Sequence, residues 1–424
     1  MRRIARAKKG KEVDLTDLNT IDLGKELGLT LLSDSNRADI KNIVPTMVPQ
    51  YDRILGGGIP LGRLTEVYGL TGSGKSSFAV HLSRISTQLG VITIWIDIEG
   101  TADNNRMEQL GVDVSKLFSI QAGEGRLKNT VELSVETVGK ELDYWIDTFN
   151  EKAPGVPILF IWDSLGATRT QAEIEEGVDH RKLGTKATAT QKVINAVSPK
   201  LNDTNTGLIV INQARDNLNM SNPYDDPIKS TGGRAFEHGA SLRLKITKGK
   251  ESDLKQSDSM TGKPTYKGHV MRVETKKSKL SRPGQKAEAD LLSGYEVGSG
   301  SDITQLNGID PYHTIYKEAV ERGLITKGTW RNYITLNGEE IKLYDKDWVP
   351  RLIDDHELYL ELFSRVYGEH FPNGYSPLLN TKVIVTQLEE YQALENYYEE
   401  WAKDNKQEEQ EEESKGESQE KDSE

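Results

Sequence analysis

Short apolar runs, each set off by a nearby glycine, punctuate the first half of the chain: Leu64 to Tyr68, Val91 to Ile96, Ile158 to Trp162 and Leu208 to Ile211. They are too short for helices and rich in β-branched residues, so they read as strands buried on both faces. The longer amphipathic stretches between them, such as Phe78 to Leu89, suit crossover helices. The alternation predicts an α/β core in which a mostly parallel central sheet is flanked by helices. A polar stretch from Lys248 to Gly268 predicts a hairpin excursion, after which Val270 to Glu274 resumes strand character. Apolar positions at mixed spacing over residues 13–32 predict one or two short helices ahead of the core. Past the Gly/Ser cluster Gly294 to Asp302 the period turns helical at Tyr312 to Arg322, in a region carrying Trp330, Tyr333 and Trp348. The expected division is an N-terminal arm at 1–44, the core at 45–300, a small α/β C-terminal domain at 301–402 and a tail at 403–424.

Composition narrows the class. With 424 residues, 35% hydrophobic and 28% charged, the chain can fill more than one packed unit, which excludes disorder over most of its length. No stretch approaches the roughly 20 apolar residues of a membrane span, and the start lacks the apolar core of a secretory signal, so a soluble cytoplasmic protein is expected. There is no cysteine, which removes disulfides, thiolate metal sites and thiol nucleophiles. The net charge of −12 is uneven: residues 404–424 hold ten acids and three lysines, whereas residues 2–11 hold six basic residues and no acid. A basic arm and an acidic tail of this kind mediate or compete for contact with polyanions, or simply keep the ends solvated.

The chemistry concentrates at strand ends. Gly69-Leu-Thr-Gly-Ser-Gly-Lys-Ser-Ser77 fits G-x-x-x-x-G-K-[ST] between a predicted strand and a predicted helix. In such a loop Gly69, Thr71, Gly72, Ser73, Gly74 and Ser77 wrap backbone N–H groups around nucleotide phosphates. Lys75 adds a cation and Ser76 a Mg²⁺ ligand. Asp163, ending another strand, supplies the carboxylate such a metal site needs. Asp97 and Glu99 end a third strand, and either can serve as a base toward water or merely cap the strand. Asn212 and Gln213 end a fourth, where an amide can sense a γ-phosphate.

Taken together these segments resemble the RecA family of strand-exchange recombinases, especially its phage-encoded, UvsX-like branch. The resemblance rests on Gly62-Arg-Leu-Thr-Glu-Val-Tyr-Gly69, Trp95-Ile-Asp-Ile-Glu99, Leu110-Gly-Val-Asp113, Asp163-Ser164, Ala172-Glu-Ile-Glu175, Ile211-Asn-Gln213, Thr231-Gly-Gly233 and Lys277-Ser-Lys279 with Pro283. It implies a P-loop NTPase core using ATP and Mg²⁺, with Glu99 activating water and Gln213 coupling the γ-phosphate to the loop after it. It also implies that Lys277 and Lys279 reach the ATP of the next protomer in a helical filament. From the residues alone these lysines read sooner as a solvated basic stripe with Lys276.

The resemblance further implies single- and double-stranded DNA as partners, held by two loops. The first, residues 168–190, contains Arg169, Arg181, Lys182 and Lys186; the second, 214–231, begins with Arg215 near its start and ends at Gly232, Gly233 and Arg234. A single-strand-binding protein and a loader are further partners such a filament would use. One departure stands out: Arg106 occupies the place where the family sets a tyrosine against adenine. The function implied is ATP-dependent homologous pairing and strand exchange, with a DNA-dependent ATPase activity. A ring-forming helicase or motor on the same core is the alternative, and a non-enzymatic ATP switch is a second.

Overall fold

The computed structural model describes residues 25, 28–30, 40, 42–100, 102–176, 184–217, 226–231, 235–257, 262–297, 304–371, 387–400 and 403. The chain forms two compact units, residues 1–39 and 40–424. In the first, the Gly28 amide bonds the Lys25 carbonyl at 3.0 Å.

The second unit opens with a short antiparallel pair, β1 (Ile43–Val44) and β2 (Ile59–Pro60). The four predicted runs then become β3 (Leu64–Gly69), β4 (Ile92–Asp97), β6 (Ile158–Asp163) and β7 (Thr206–Asp216), and a further short strand, β5 (Leu117–Ile120), pairs with β4. A three-residue strand β8 (Ile228–Ser230) returns against the end of β7. Next come the long strands β9 (Leu242–Ser257), β10 (Pro264–Ser278) and β11 (Lys286–Val297), then β12 (Thr304–Ile309). The ten-stranded sheet has the order β12-β11-β10-β9-β3-β7-β6-β4-β5, with β8 joined to β7. It is parallel from β9 through β3 to β5 and antiparallel from β9 to β12.

Period-two alternation explains why the central runs are apolar throughout. Val67, Trp95, Leu159, Ile161, Ile209 and Ile211 belong to one core, which includes Tyr51, Phe78 and Leu82. Their neighbours Ile94, Ile96, Phe160, Trp162, Leu208 and Val210 belong to the other, with Val135, Leu142, Ile146 and Val193. Both faces are thus sealed by helices, as a parallel sheet requires. Each fully buried aliphatic or Phe side chain contributes about 1.5–3 kcal/mol relative to exposure. The polar stretch from Lys248 to Gly268 is a two-stranded ribbon, the distal part of β9 paired with β10. Beyond it β12 extends the sheet past residue 301. Helices Pro311–Arg322, Trp348–Asp354 and His356–His370 and the hairpin β13 (Trp330–Ile334)–β14 (Glu340–Tyr344) follow, with Trp348, Tyr333 and Phe363 in the first core.

Candidate active site

The parallel half of the sheet delivers β3, β4, β6 and β7 side by side, so their carboxyl ends form one rim. Register places Gly69 beside Gln213 and Asp97 beside Asp163. The phosphate-type loop leaves β3 and enters helix Lys75–Gln88, whose N-cap Gly74 has φ 101° and no side-chain cap. First-turn amides are therefore left for an anion. A Cβ on Gly69 would stand 2.2 Å from the Ile246 carbonyl oxygen, and one on Gly74 would meet the Met271 thioether at 2.8 Å. Both positions demand glycine because β9 and β10 form the floor of the loop.

Lys75 Nζ donates to the Leu70 carbonyl at 2.9 Å. Burial pulls its ammonium below the usual lysine range, against the opposing fields of Asp163 and Glu99. Asp163 is raised to about 6, chiefly by burial, with Glu99 and Asp97 adding to it and the Ser76 hydroxyl and Lys75 opposing it. Asp163 thus bonds Ser76, and Asp163 and Glu99 both lie within electrostatic reach of Lys75. Among the described residues no group of three or more His, Cys, Asp or Glu is placed to hold a metal alone. That donor set fits Mg²⁺, which takes few protein ligands and completes its shell with phosphate oxygens and water. Ser76 and Asp163 are the residues that would hold it.

Glu99, past the end of β4, is exposed and accepts from the Ser164 hydroxyl at 3.0 Å. Asp97 instead is buried and accepts from the Ala102 amide at 3.1 Å, which ties down the turn after β4. Of the two carboxylates only Glu99 is thus set facing solvent at the rim. Gln213 is exposed on the same rim, and a Cβ on Gly166 would stand 2.8 Å from its Cγ, so Gly166 leaves room for it. Arg106 is exposed on helix Asn104–Gln109, where its amide bonds Asp103 Oδ1 at 2.8 Å.

Lys277 lies elsewhere. It pairs with Arg243, which is level with Glu66, and its Nζ donates to the carbonyls of Glu237 at 2.6 Å and His238 at 3.2 Å. Met271 touches the chain's own phosphate loop, and Lys277 is six residues further along β10, about 20 Å at strand rise. The Lys279 amide bonds the Ser241 carbonyl at 3.0 Å, further still from that loop.

Both polar loops are shorter than the sequence predicts. In the first, Thr170 and Glu173 close a capping box on helix Gln171–Glu175, and Gly184, at φ 90°, starts helix Thr185–Asp203. Among the described residues, regular structure therefore reaches Glu175 and resumes at Thr185. Arg169 is ion-paired with Glu132 at 3.2 Å, and Lys186 Nζ donates to the Gly166 carbonyl at 2.9 Å. In the second, Ala214, Arg215 and Asp216 pair with Ser230, Lys229 and Ile228, so the loop begins only at Asn217. Arg215 is exposed on that ladder, whereas Arg181, Lys182, Gly232, Gly233 and Arg234 lie outside the described residues.

A buried polar network behind the rim escapes sequence reasoning. Glu66, 0% exposed, accepts from Asn212 Nδ2 at 2.9 Å and from Arg243 Nε at 2.6 Å. Asn212 also donates to the Thr231 carbonyl at 2.7 Å, and Arg243 donates to Ser230 Oγ at 3.0 Å. The end of the second loop is thereby fastened to the strand that feeds the phosphate loop. The available signal was a Glu and an Arg inside apolar strands, since buried charges need partners.

Comparison with known proteins agrees with this geometry. Residues 15–298 match the family model described as the RecA N-terminal domain. The RecA protein of Thermotoga neapolitana is 27% identical over 317 residues, covering 74% of this chain and 80% of its own. That of Chlorobium chlorochromatii is 29% identical over 368 residues, covering 84% and 92%. That of Porphyromonas gingivalis is 26% identical over 351 residues, covering 82% and 91%. With a glycine loop, a Ser76–Asp163 pair and Glu99 on one rim of a RecA-like sheet, and more than half its length matched, the chain belongs to the RecA family of DNA-dependent ATPases.

Proposed function

We propose that this chain is a recombinase of the phage-encoded, UvsX-like branch, which polymerises on single-stranded DNA with ATP and exchanges that strand with a homologous duplex in the cytoplasm of a host cell. The observation that carries the reading is the position of Lys277, far along β10 from the chain's own phosphate loop, and of Lys279 just past the end of that strand. Cations placed there serve a neighbour's nucleotide, so hydrolysis depends on a head-to-tail assembly. In this reading Glu99 orients and deprotonates the attacking water, held by Ser164. Gln213 senses the γ-phosphate, and Arg106 covers the base with its planar guanidinium. Bound Mg²⁺ would neutralise phosphate charge, held by Ser76 and Asp163.

Arg215, the amides of Gly232 and Gly233, Arg234, Arg181 and Lys182 would take DNA phosphates without reading sequence, as a strand-exchange protein requires. Arg169 and Lys186 would act by holding the first loop's ends, given their bonds within the chain. The arm at 1–44 would join protomers, the region at 301–402 would form the small C-terminal domain, and the acidic tail would compete with duplex for basic surface. A single-strand-binding protein and a loader would govern assembly.

Electron microscopy of the protein with single-stranded DNA and a non-hydrolysable ATP analogue tests the assembly. Open helical filaments are expected. Closed rings would favour the helicase or motor alternative.

A further inference from the structure

The root of the second loop is held by charges that neither ATP chemistry nor the sheet itself requires. Asn217 donates from its amide to the Pro227 carbonyl at 2.8 Å and from Nδ2 to the Asp226 carbonyl at 3.0 Å, which closes the root. Asp226 then sits between two lysines from other strands: Lys245 of β9 at 2.5 Å and Lys276 of β10 at 2.9 Å. Lys276 is also paired with Glu274 at 3.1 Å. All three side chains of this cluster are less than a third exposed, at 20%, 10% and 31%, so solvent screens the pairs only in part.

The β10 backbone explains why Lys276 points there. Its ladder with β9 slips between Thr275 and Lys277, leaving Lys276 as the unpaired residue of a β-bulge. Without the slip, Lys276 and Lys277 would face opposite sides of the sheet. With it, Glu274, Lys276 and Lys277 share the face of their cross-strand partners Lys245 and Arg243. One bulge therefore presents two adjacent lysines on one face, the first gripping Asp226 and the second gripping the end of helix Ala235–Gly239.

We infer that Asp226 and Lys276 form an ionic link that makes the root of the second loop and the strand presenting Lys277 move together, so that DNA at the loop sets the position of the lysine offered to the neighbouring ATP. The inference rests on the trans role of Lys277 proposed above. Lys277 must leave the Glu237 and His238 carbonyls to reach a neighbour, and any shift of the β10 backbone that carries it there carries the adjacent Lys276 as well. Asp226 and Lys276 are positioning residues and touch neither nucleotide nor the reacting atoms.

The test is ATP hydrolysis by the full chain with and without single-stranded DNA, alongside ATP-dependent DNA binding, for Asp226→Asn, Lys276→Met, the double variant and Lys276→Arg. Each single neutralisation should lower DNA-stimulated kcat about tenfold, within the usual range of coupling between sites. KM for ATP, DNA affinity and the DNA-independent rate should stay within about threefold, on the same scale. The double variant should be no worse than either single one, and Lys276→Arg should retain stimulation. Additive losses, or a parallel fall of the DNA-independent rate, would overturn the link by showing a structural role only. Undiminished stimulation in Asp226→Asn would also overturn it while leaving the recombinase reading intact. A parent protein that DNA fails to stimulate would instead remove that reading and this inference with it.

Discussion

At the residue scale the division of labour between two neighbouring carboxylates is set by what each touches. Asp97 is buried and occupied by the Ala102 amide, whereas Glu99 is exposed and accepts from the Ser164 hydroxyl. Glu99→Gln should lower ATP turnover roughly 10²–10⁴-fold, the contribution of a positioned base. Lys277→Ala should do the same for a different reason, by removing a cation from the neighbour's site. Mixing the two inactive variants then gives a decisive readout. In a randomly mixed filament about a quarter of the interfaces join an intact Glu99 to an intact Lys277, because head-to-tail contacts use different patches of each partner. Hydrolysis should reappear on mixing; silence at every ratio would place Lys277 in its own protomer's site or outside the chemistry. The loop from Gly69 to Ser77 and the strand-end carboxylates Asp163, Asp97 and Glu99 stand out in the sequence by local spacing, which leaves Asp97 and Glu99 as alternatives. Glu66 and Arg243 do not, since they are 177 positions apart and meet only because β3 and β9 are adjacent.

At the element scale, the helix Pro49–Leu55 is tied to the helix His356–His370 through a buried acid. Asp52 accepts from the Thr46 amide and hydroxyl, each at 2.8 Å, and from Tyr367 of helix His356–His370. Burial raises its carboxyl from 3.8 to about 7, with those hydrogen bonds opposing. The folded chain therefore keeps a proton that the unfolded chain releases. The contribution to stability is complete below about pH 4 and is lost as pH rises through 7. The Tm of the parent relative to Asp52→Asn should accordingly fall between pH 5 and pH 8; a constant difference across that range would show that Asp52 does not titrate there. Among elements, the parallel strands were legible as continuous apolar runs. β11 was not, because Ser293 and Gly294 resemble a turn. In the fold they sit at a slip in the ladder, where the Gly294 amide bonds Asn307 Oδ1 at 2.8 Å. The polar loops that the sequence predicts are longer than the fold's for a related reason: the capping box at Thr170 and the pairing of β7 with β8 convert their ends into regular structure.

At the scale of the whole molecule, the chain carries net charge −12 yet belongs to a family that acts on a polyanion. Seven of those charges are confined to residues 404–424, so the core need not repel DNA. In the proposed reading the sheet would separate two tasks along its strands, with nucleotide at the carboxyl rim of β3 and a cation from the far end of β10 serving a neighbour. An arrangement of that kind turns ATP binding into an act of assembly, and assembly rather than hydrolysis would then drive pairing. The most direct measurement is strand exchange between a labelled single strand and a homologous duplex, with ATP, with a non-hydrolysable analogue and with no nucleotide. Exchange with ATP and with the analogue, none without nucleotide, and none with a heterologous duplex is the predicted result. Strand separation that requires hydrolysable ATP and ignores homology would contradict the account.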